Sequence, residues 1–259
     1  MKEEAMEQVL DGKVAIITGG GGGIGSVFGR ELALRGASVV LADLNEDAAT
    51  TRAADLAAKG LAVMGARLDA TEPSSAAAVV DAAVRAYGGV DILVNCAALM
   101  AEIPFSPLSR FPLDWWDRVM AVNVKGPLVC AQAAVPAMRA RGGGRIVSIS
   151  SAGAFSRGGV YGVSKYALVS LTANLAAELG ADGINVNAIA PGLVVDDAGY
   201  RALPDGQLRD QLRAIVPLKT HVEGPPEDLV GTLVLLVSDA GVWITGQTIS
   251  VDGGWIMRL

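Results

Sequence analysis

Along this chain, short apolar runs alternate with longer stretches whose apolar residues recur at helical spacing. The runs read as strands at about 14–18, 38–42, 62–68, 90–95, 145–150, 184–189 and 248–251. The stretches between them read as helices at about 24–35, 45–58, 73–86, 114–139, 160–179 and 226–237. Strict alternation of this kind predicts an α/β fold: a single-domain, doubly wound parallel sheet of about seven strands with helices on both faces. Residues 1–11 read as an N-terminal extension and 12–259 as the one domain. Gly36, Gly60, Gly88 and Gly180 fall just past helix ends, where a residue with positive φ is wanted. The pattern lapses over about 194–226, where Gly, Pro, Asp and Arg mix with Leu203, Leu208 and Leu212. That stretch leaves the carboxyl end of a strand, the usual place for a ligand loop in an open α/β sheet.

At 259 residues, 51% hydrophobic and 19% charged, the chain can bury a large core as one unit. A net charge of −6 without basic tracts argues against nucleic acid or an anionic membrane surface as partner. The first eleven residues hold no hydrophobic leader, and no uninterrupted apolar segment reaches bilayer length, so the expected compartment is cytoplasmic. Two cysteines, Cys96 and Cys130, are too few for a disulfide framework or a zinc site, and no metal is expected. The lone histidine, His221, lies in the irregular stretch without the partners of a hydrolase and receives no catalytic role.

Chemistry concentrates at two places. The first is Thr18-Gly19-Gly20-Gly21-Gly22-Gly23-Ile24-Gly25, which sits between an apolar strand and a helix start. Glycines there let backbone approach a diphosphate, and the helix N-terminus offers it unpaired N–H groups. Asp43 ends the second strand, where a carboxylate accepts from ribose hydroxyls and repels a 2′-phosphate, which favours NAD over NADP. The second is Tyr161-Gly162-Val163-Ser164-Lys165, which stacks a phenol and an ammonium on one helix face. An ammonium close by would lower the phenol pKa and ready Tyr161 for general acid/base work; alone, the spacing equally suits a Tyr packed on a Lys stem.

With both segments in one chain, the sequence resembles the short-chain dehydrogenase/reductase family from about Leu10 to the C-terminus. The motif T-G-x-x-x-G-x-G is met by Thr18, Gly19, Gly23 and Gly25, and Y-x-x-x-K by Tyr161 and Lys165. Leu68-Asp69, Asn95, Asn123, Ser150-Ser151, Pro191-Gly192 and Thr245-Gly246-Gln247 follow in the family's order. The resemblance implies a Rossmann-like fold and an NAD-dependent oxidoreductase acting on a secondary alcohol or its ketone, its substrate a small molecule. It implies cofactor contacts from Gly19, Gly23, Ile24, Gly25, Asp43, Leu44, Asp69, Ala70, Asn95, Ala97, Pro191, Gly192 and Val194, with Tyr161 and Lys165. It makes Tyr161 the base, Ser151 the donor to the substrate oxygen, Lys165 the group that tunes Tyr161 and holds the nicotinamide ribose, and Asn123 the holder of a relay water. A homo-oligomer, dimer or tetramer, is implied as well, built on the helices at 114–139 and 160–179 and on Trp255 to Leu259.

Three departures limit the carry-over. Asn95-Cys96-Ala97-Ala98 stands where the family has N-N-A-G, which adds a side chain where Gly would let a cofactor approach freely. Asp196 replaces a Thr beyond the Pro-Gly pair. Ser151 precedes Tyr161 by ten positions where many members have thirteen, which leaves Ser148, Ser150 and Ser151 as candidates; the family's strand-end placement selects Ser151. Leu99, Met100, Phe155 and Leu193 are candidate pocket walls whose character points to a hydrophobic or cyclic substrate. A diol or sugar dehydrogenase and a 3-ketoacyl reductase remain alternatives, and a silent NAD-binding regulatory protein is the reading from outside the enzymes.

Overall fold

A computed structural model describes residues 8–202 and 205–257. Residues 1–7 of the N-terminal extension, Leu203 of the irregular stretch and the last two residues of the C-terminal reach lie outside the described residues.

Seven strands form one parallel sheet: β1 (Val14–Thr18), β2 (Ser38–Asp43), β3 (Val63–Arg67), β4 (Ile92–Asn95), β5 (Gly144–Ile149), β6 (Ile184–Pro191) and β7 (Thr248–Val251). Their spatial order is β3-β2-β1-β4-β5-β6-β7. The chain reverses its direction of travel across the sheet between β1 and β4. A crevice opens at such a switch point, beyond the carboxyl ends of the strands. Register sets the residues that line it, with Thr18 opposite both Ala42 and Asn95, and Asn95 opposite Ser148.

Helices cover both faces because side chains alternate along each strand. Ala15, Ile17, Val39 and Leu41 point into one core with Phe28 and Leu32 of α1 (Gly23–Leu34), while Val14, Ile16, Val40 and Ala42 point into the other with Val79 and Ala83 of α3 (Pro73–Tyr87). Helix α2 (Glu46–Ala57) is tied to the first core through Ala49, Ala53 and Leu56. Phe28 is fully enclosed, a burial worth about 1.5–3 kcal/mol. Leu10 is also buried, its N–H on the Arg35 carbonyl at 2.9 Å, so the chain joins the core before β1 begins.

The predicted helix 114–139 is a longer rod: α4 (Leu113–Met120), one π-helical turn (Ala121–Lys125) and α5 (Gly126–Ala140). By length and composition this rod could cross a bilayer, which corrects the expectation that no apolar segment is long enough. Half of its apolar window is buried inside the protein, and Val129, Cys130, Ala134, Val135 and Met138 belong to the second core, so its apolarity serves packing. Helix α6 (Gly159–Leu179) follows β5.

The stretch 194–226 is less irregular than its sequence implies. It holds α7 (Asp197–Ala202) and α8 (Gln207–Ile215), before a 3₁₀ turn (Pro226–Leu229) leads into α9 (Val230–Val237). Both new helices are short, which hides their period among the Gly and Pro residues. Buried Arg209 of α8 meets Glu223 at 2.8 Å and Arg213 meets the same carboxylate at 2.6 Å, fastening α8 to the segment before α9. Gly36, Gly60 and Gly88 take the positive φ expected of them. Gly180 does not: it continues right-handed into a 3₁₀ turn (Gly180–Asp182), and Gly183, at φ +70°, makes the reversal instead.

Candidate active site

Strand β1 delivers the glycine turn to the switch point. The Thr18 hydroxyl accepts the N–H groups of Cys96 and Ala97, both at 3.1 Å, and so ties the ends of β1 and β4 together. Gly19 turns the chain at φ +70°, and a Cβ there would lie 2.9 Å from the Ala97 backbone. Gly25 in the first turn of α1 presses on the Gly19 carbonyl so closely that any side chain would collide with it. No side chain caps α1, so its first N–H groups point outward beside the turn.

Three polar side chains border this cradle. Asp43 accepts the Gly21 N–H on one carboxylate oxygen and the Asn45 N–H on the other, each at 2.9 Å. Asp69 accepts the Thr71 hydroxyl at 2.7 Å and its N–H at 3.0 Å, and these bonds hold its carboxyl below the usual range. Strand β3 ends at Arg67, so Asp69 begins the loop instead of closing the strand. Asn95 is buried with no hydrogen-bond partner on Oδ1, an orphaned acceptor beside the crevice. Leu44 is exposed, Ala70 is buried, and Ile24, Ala97, Gly192 and Val194 are half-buried around the same end of the sheet; Pro191 closes β6.

Beside the cradle, β5 and α6 bring the second set together. Ser151 lies two residues past the end of β5, accepts the Gly153 N–H at 3.0 Å, and sits beside the Tyr161 phenol, whose charged form it favours. Ser150 points the other way: its hydroxyl donates to the Lys165 carbonyl at 2.9 Å and anchors α6 to β5. Ser148 is buried inside the sheet between Asn95 and Ala188. The ten-residue spacing to Tyr161 is taken up by a 3₁₀ turn (Ala152–Phe155).

Lys165 is buried, with its ammonium 5.6 Å from the Tyr161 ring centre, and donates to the Ile149 carbonyl at 2.7 Å. Desolvation lowers Lys165 to about 8 and raises Tyr161 to about 12, against the pull of the Ser151 side chain on the phenol. The expected lowering of the phenol pKa by the ammonium is therefore absent: burial penalises both charged forms, and the ammonium is turned to a backbone carbonyl.

Asn123 lies in the π-helical turn and is fully buried. Its amide accepts the Leu99 N–H at 2.8 Å and donates to the Leu99 carbonyl at 3.0 Å and to the Ser164 hydroxyl at 3.1 Å. The side chain is engaged with protein groups and clamps the segment after β4. A π turn shifts backbone bonding by one residue, which is a recurrent device at functional sites. Two contributors carried no assigned role in the sequence reading. Ser164 relays Asn123 to the Tyr161 carbonyl, its hydroxyl donating at 2.7 Å. Cys96, pushed up to about 12 by burial, feels the charges of Lys165, Asp196 and Asp43 and so lies between the two sets. The spacing of Tyr161 and Ser164 on one helix held the signal for Ser164; nothing marked Cys96 beyond its departure from N-N-A-G.

Comparison with known proteins decides the family. A family description, enoyl-(acyl carrier protein) reductase, matches residues 20–256. The chain belongs to the short-chain dehydrogenase/reductase family. An uncharacterized oxidoreductase of Mycobacterium tuberculosis is 43% identical over 96% of this chain and 100% of its own length. A sorbitol dehydrogenase of Cereibacter sphaeroides is 39% identical over 95% of this chain and 98% of its own. Among solved structures, a 7α-hydroxysteroid dehydrogenase complexed with NADH and 7-oxo glycochenodeoxycholic acid superposes with a TM-score of 0.89, at 33% identity over 100% of this chain and 99% of its own. The fold is therefore the Rossmann-like one of this family, and the chain is one of its oxidoreductases.

Proposed function

We propose that this short-chain dehydrogenase/reductase interconverts a secondary alcohol and its ketone with NAD(H) as cofactor. The observation that carries the reading is the placement of Ser151 beside the Tyr161 phenol with Lys165 behind it, next to an uncapped helix N-terminus at the switch point. The residues present fit a dinucleotide: a glycine turn where added Cβ atoms would collide, the Asp43 carboxylate at the end of β2, and the orphaned Asn95 Oδ1. Gly19, Gly23, Ile24 and Gly25 would hold the diphosphate and Asp43 the adenosine ribose, with Asp69 and Ala70 bordering the base. Asn95, Ala97, Pro191, Gly192 and Val194 would border the nicotinamide half, with Tyr161 and Lys165. When bound, the nicotinamide accepts or returns the hydride.

The protein's own groups handle the proton. In oxidation, the Tyr161 oxygen takes the proton from the alcohol hydroxyl, and the Ser151 hydroxyl donates to the same substrate oxygen as it becomes a carbonyl. Lys165 stores positive charge beneath that oxygen, and Asn123 fixes the segment after β4 that faces it. Leu99, Met100, Phe155 and Leu193 are half-buried around this end of the sheet, and an apolar, cyclic alcohol suits them. The sorbitol dehydrogenase relative supports the diol or sugar alternative.

A panel of steroid, alicyclic and polyol substrates, scored by formation of reduced nicotinamide, tests the proposal. Turnover of a cyclic secondary alcohol with NAD is the expected result. NADH binding without turnover of any alcohol or ketone would overturn it in favour of a binding protein.

A further inference from the structure

The Asp196 carboxylate lies against the mouth of the glycine turn. A Cβ added at Gly23 would come within 3.0 Å of the Asp196 Cβ and 3.1 Å of its Cγ, and would collide with Oδ2. The other oxygen, Oδ1, accepts the Gly199 N–H at 2.7 Å and caps the short helix α7. The acid is thus held in place by its own segment. No hydrogen bond or ion pair ties it to a cation among the described residues. Together with Asp43 it raises the Cys96 pKa, so its charge reaches the space between the glycine turn and the Ser151–Tyr161 pair.

A carboxylate at the first turn of α1 satisfies the positive end of the helix, which is favourable in the free protein. The same position sets it against any second anion offered to that turn. Two like charges a few ångströms apart in a partly desolvated crevice repel strongly enough to change an affinity by about tenfold.

We propose that Asp196 is a built-in anion guarding the diphosphate subsite, so that a dinucleotide binds only as Asp196, and the α7 turn it caps, give way. The inference rests on the dinucleotide reading of the crevice and adds to it a cost that is set by one side chain. It makes Asp196 a positioning residue for cofactor binding, acting on the diphosphate rather than on the nicotinamide.

Asp196→Asn tests this, because the amide keeps an oxygen for the Gly199 N–H while losing the charge; Asp196→Ser is the second variant should the first fold poorly. Affinities for NADH, ADP-ribose and adenosine are measured by fluorescence and calorimetry on the full chain. Both variants should bind NADH and ADP-ribose about tenfold more tightly than the native protein, with adenosine unchanged. Tightening of NADH alone would move the effect to the nicotinamide and overturn the proposal, as would equal affinities throughout. If NADH binds to none of the three proteins, the dinucleotide reading falls and takes this inference with it; if it binds equally to all three, only this inference falls.

Discussion

Lys165 and Tyr161 share a helix face, yet the Lys165 ammonium stands 5.6 Å from the centre of the Tyr161 ring and spends a 2.7 Å hydrogen bond on the Ile149 carbonyl. The two are neighbours in a desolvated pocket, one lowered to about 8 and the other raised to about 12. Neither charged form is favoured by the pocket, so bound substrate and cofactor must complete the charge balance before Tyr161 can act as a base.

The pair leaves a mark on stability. An unfolded Lys titrates near ~10.4, above the folded Lys165 value of about 8, so between these values the unfolded chain holds more protons and stability rises with pH. Tyr161, raised above its ordinary value near ~10, acts in the opposite sense only at higher pH, where the unfolded phenol ionises first. Melting temperature followed from pH 8 to 10 should therefore favour the native protein progressively, relative to Lys165→Met. A constant difference between the two across that range would contradict the buried ammonium.

The three serines of the β5 end are separated by geometry. Ser151 meets the phenol, Ser150 anchors the Lys165 carbonyl, and Ser148 lies within the sheet. Ser151→Ala should lose on the order of 10²–10³ in kcat with folding intact, as other oxyanion donors do. Ser150→Ala should show its effect first as a loss of stability of about 1–3 kcal/mol. If Ser150→Ala lost more turnover than Ser151→Ala at equal stability, the assignment of Ser151 would be wrong.

Much of this was legible in the chain. Strand runs such as Val14 to Thr18 and the glycine turn after them are local signals, and so is the stacking of Tyr161 on Lys165. Direction of interaction was not legible. That the Lys165 ammonium turns to Ile149, or that the Asn123 amide closes on Leu99, depends on contacts 16 and 24 residues apart in sequence. The helices α7 and α8 were hidden because they are short and one of them rests on buried Arg209, a residue type that reads as surface in any pattern of polarity.

Arg209 and Arg213 converge on Glu223, whose carboxyl they hold below the usual range. Glu223→Ala would leave the buried Arg209 guanidinium without that carboxylate, at a cost of about 3 kcal/mol. Because α8 lies beyond the carboxyl end of β6, the same variant should raise KM for substrate more than it lowers kcat. Chemical denaturation and steady-state kinetics read the two effects; an unchanged denaturation midpoint would show that the network carries no load.

The proposed preference for NAD rests on Asp43. Its two oxygens are held by the Gly21 and Asn45 N–H groups at the end of β2, and no Lys or Arg occurs in Leu44-Asn45-Glu46-Asp47. A 2′-phosphate would meet this carboxylate, with Arg52 held on the Gly21 carbonyl at 2.9 Å as the cation beside the turn, and kcat/KM should favour NAD over NADP. Asp43→Ser combined with Leu44→Arg should narrow or reverse the preference. Equal or better efficiency with NADP in the native protein would refute the role given to Asp43.

The most direct test of the account is Tyr161→Phe, measured for both turnover of a secondary alcohol and affinity for NADH. The variant keeps the ring that packs beside Lys165 and loses only the phenol oxygen beside Ser151. Turnover should vanish while NADH affinity stays within a few-fold of the native value, because the glycine turn, Asp43 and Lys165 are untouched. Retained turnover in the purified variant would remove Tyr161 from the chemistry and, with it, the mechanism proposed for this protein.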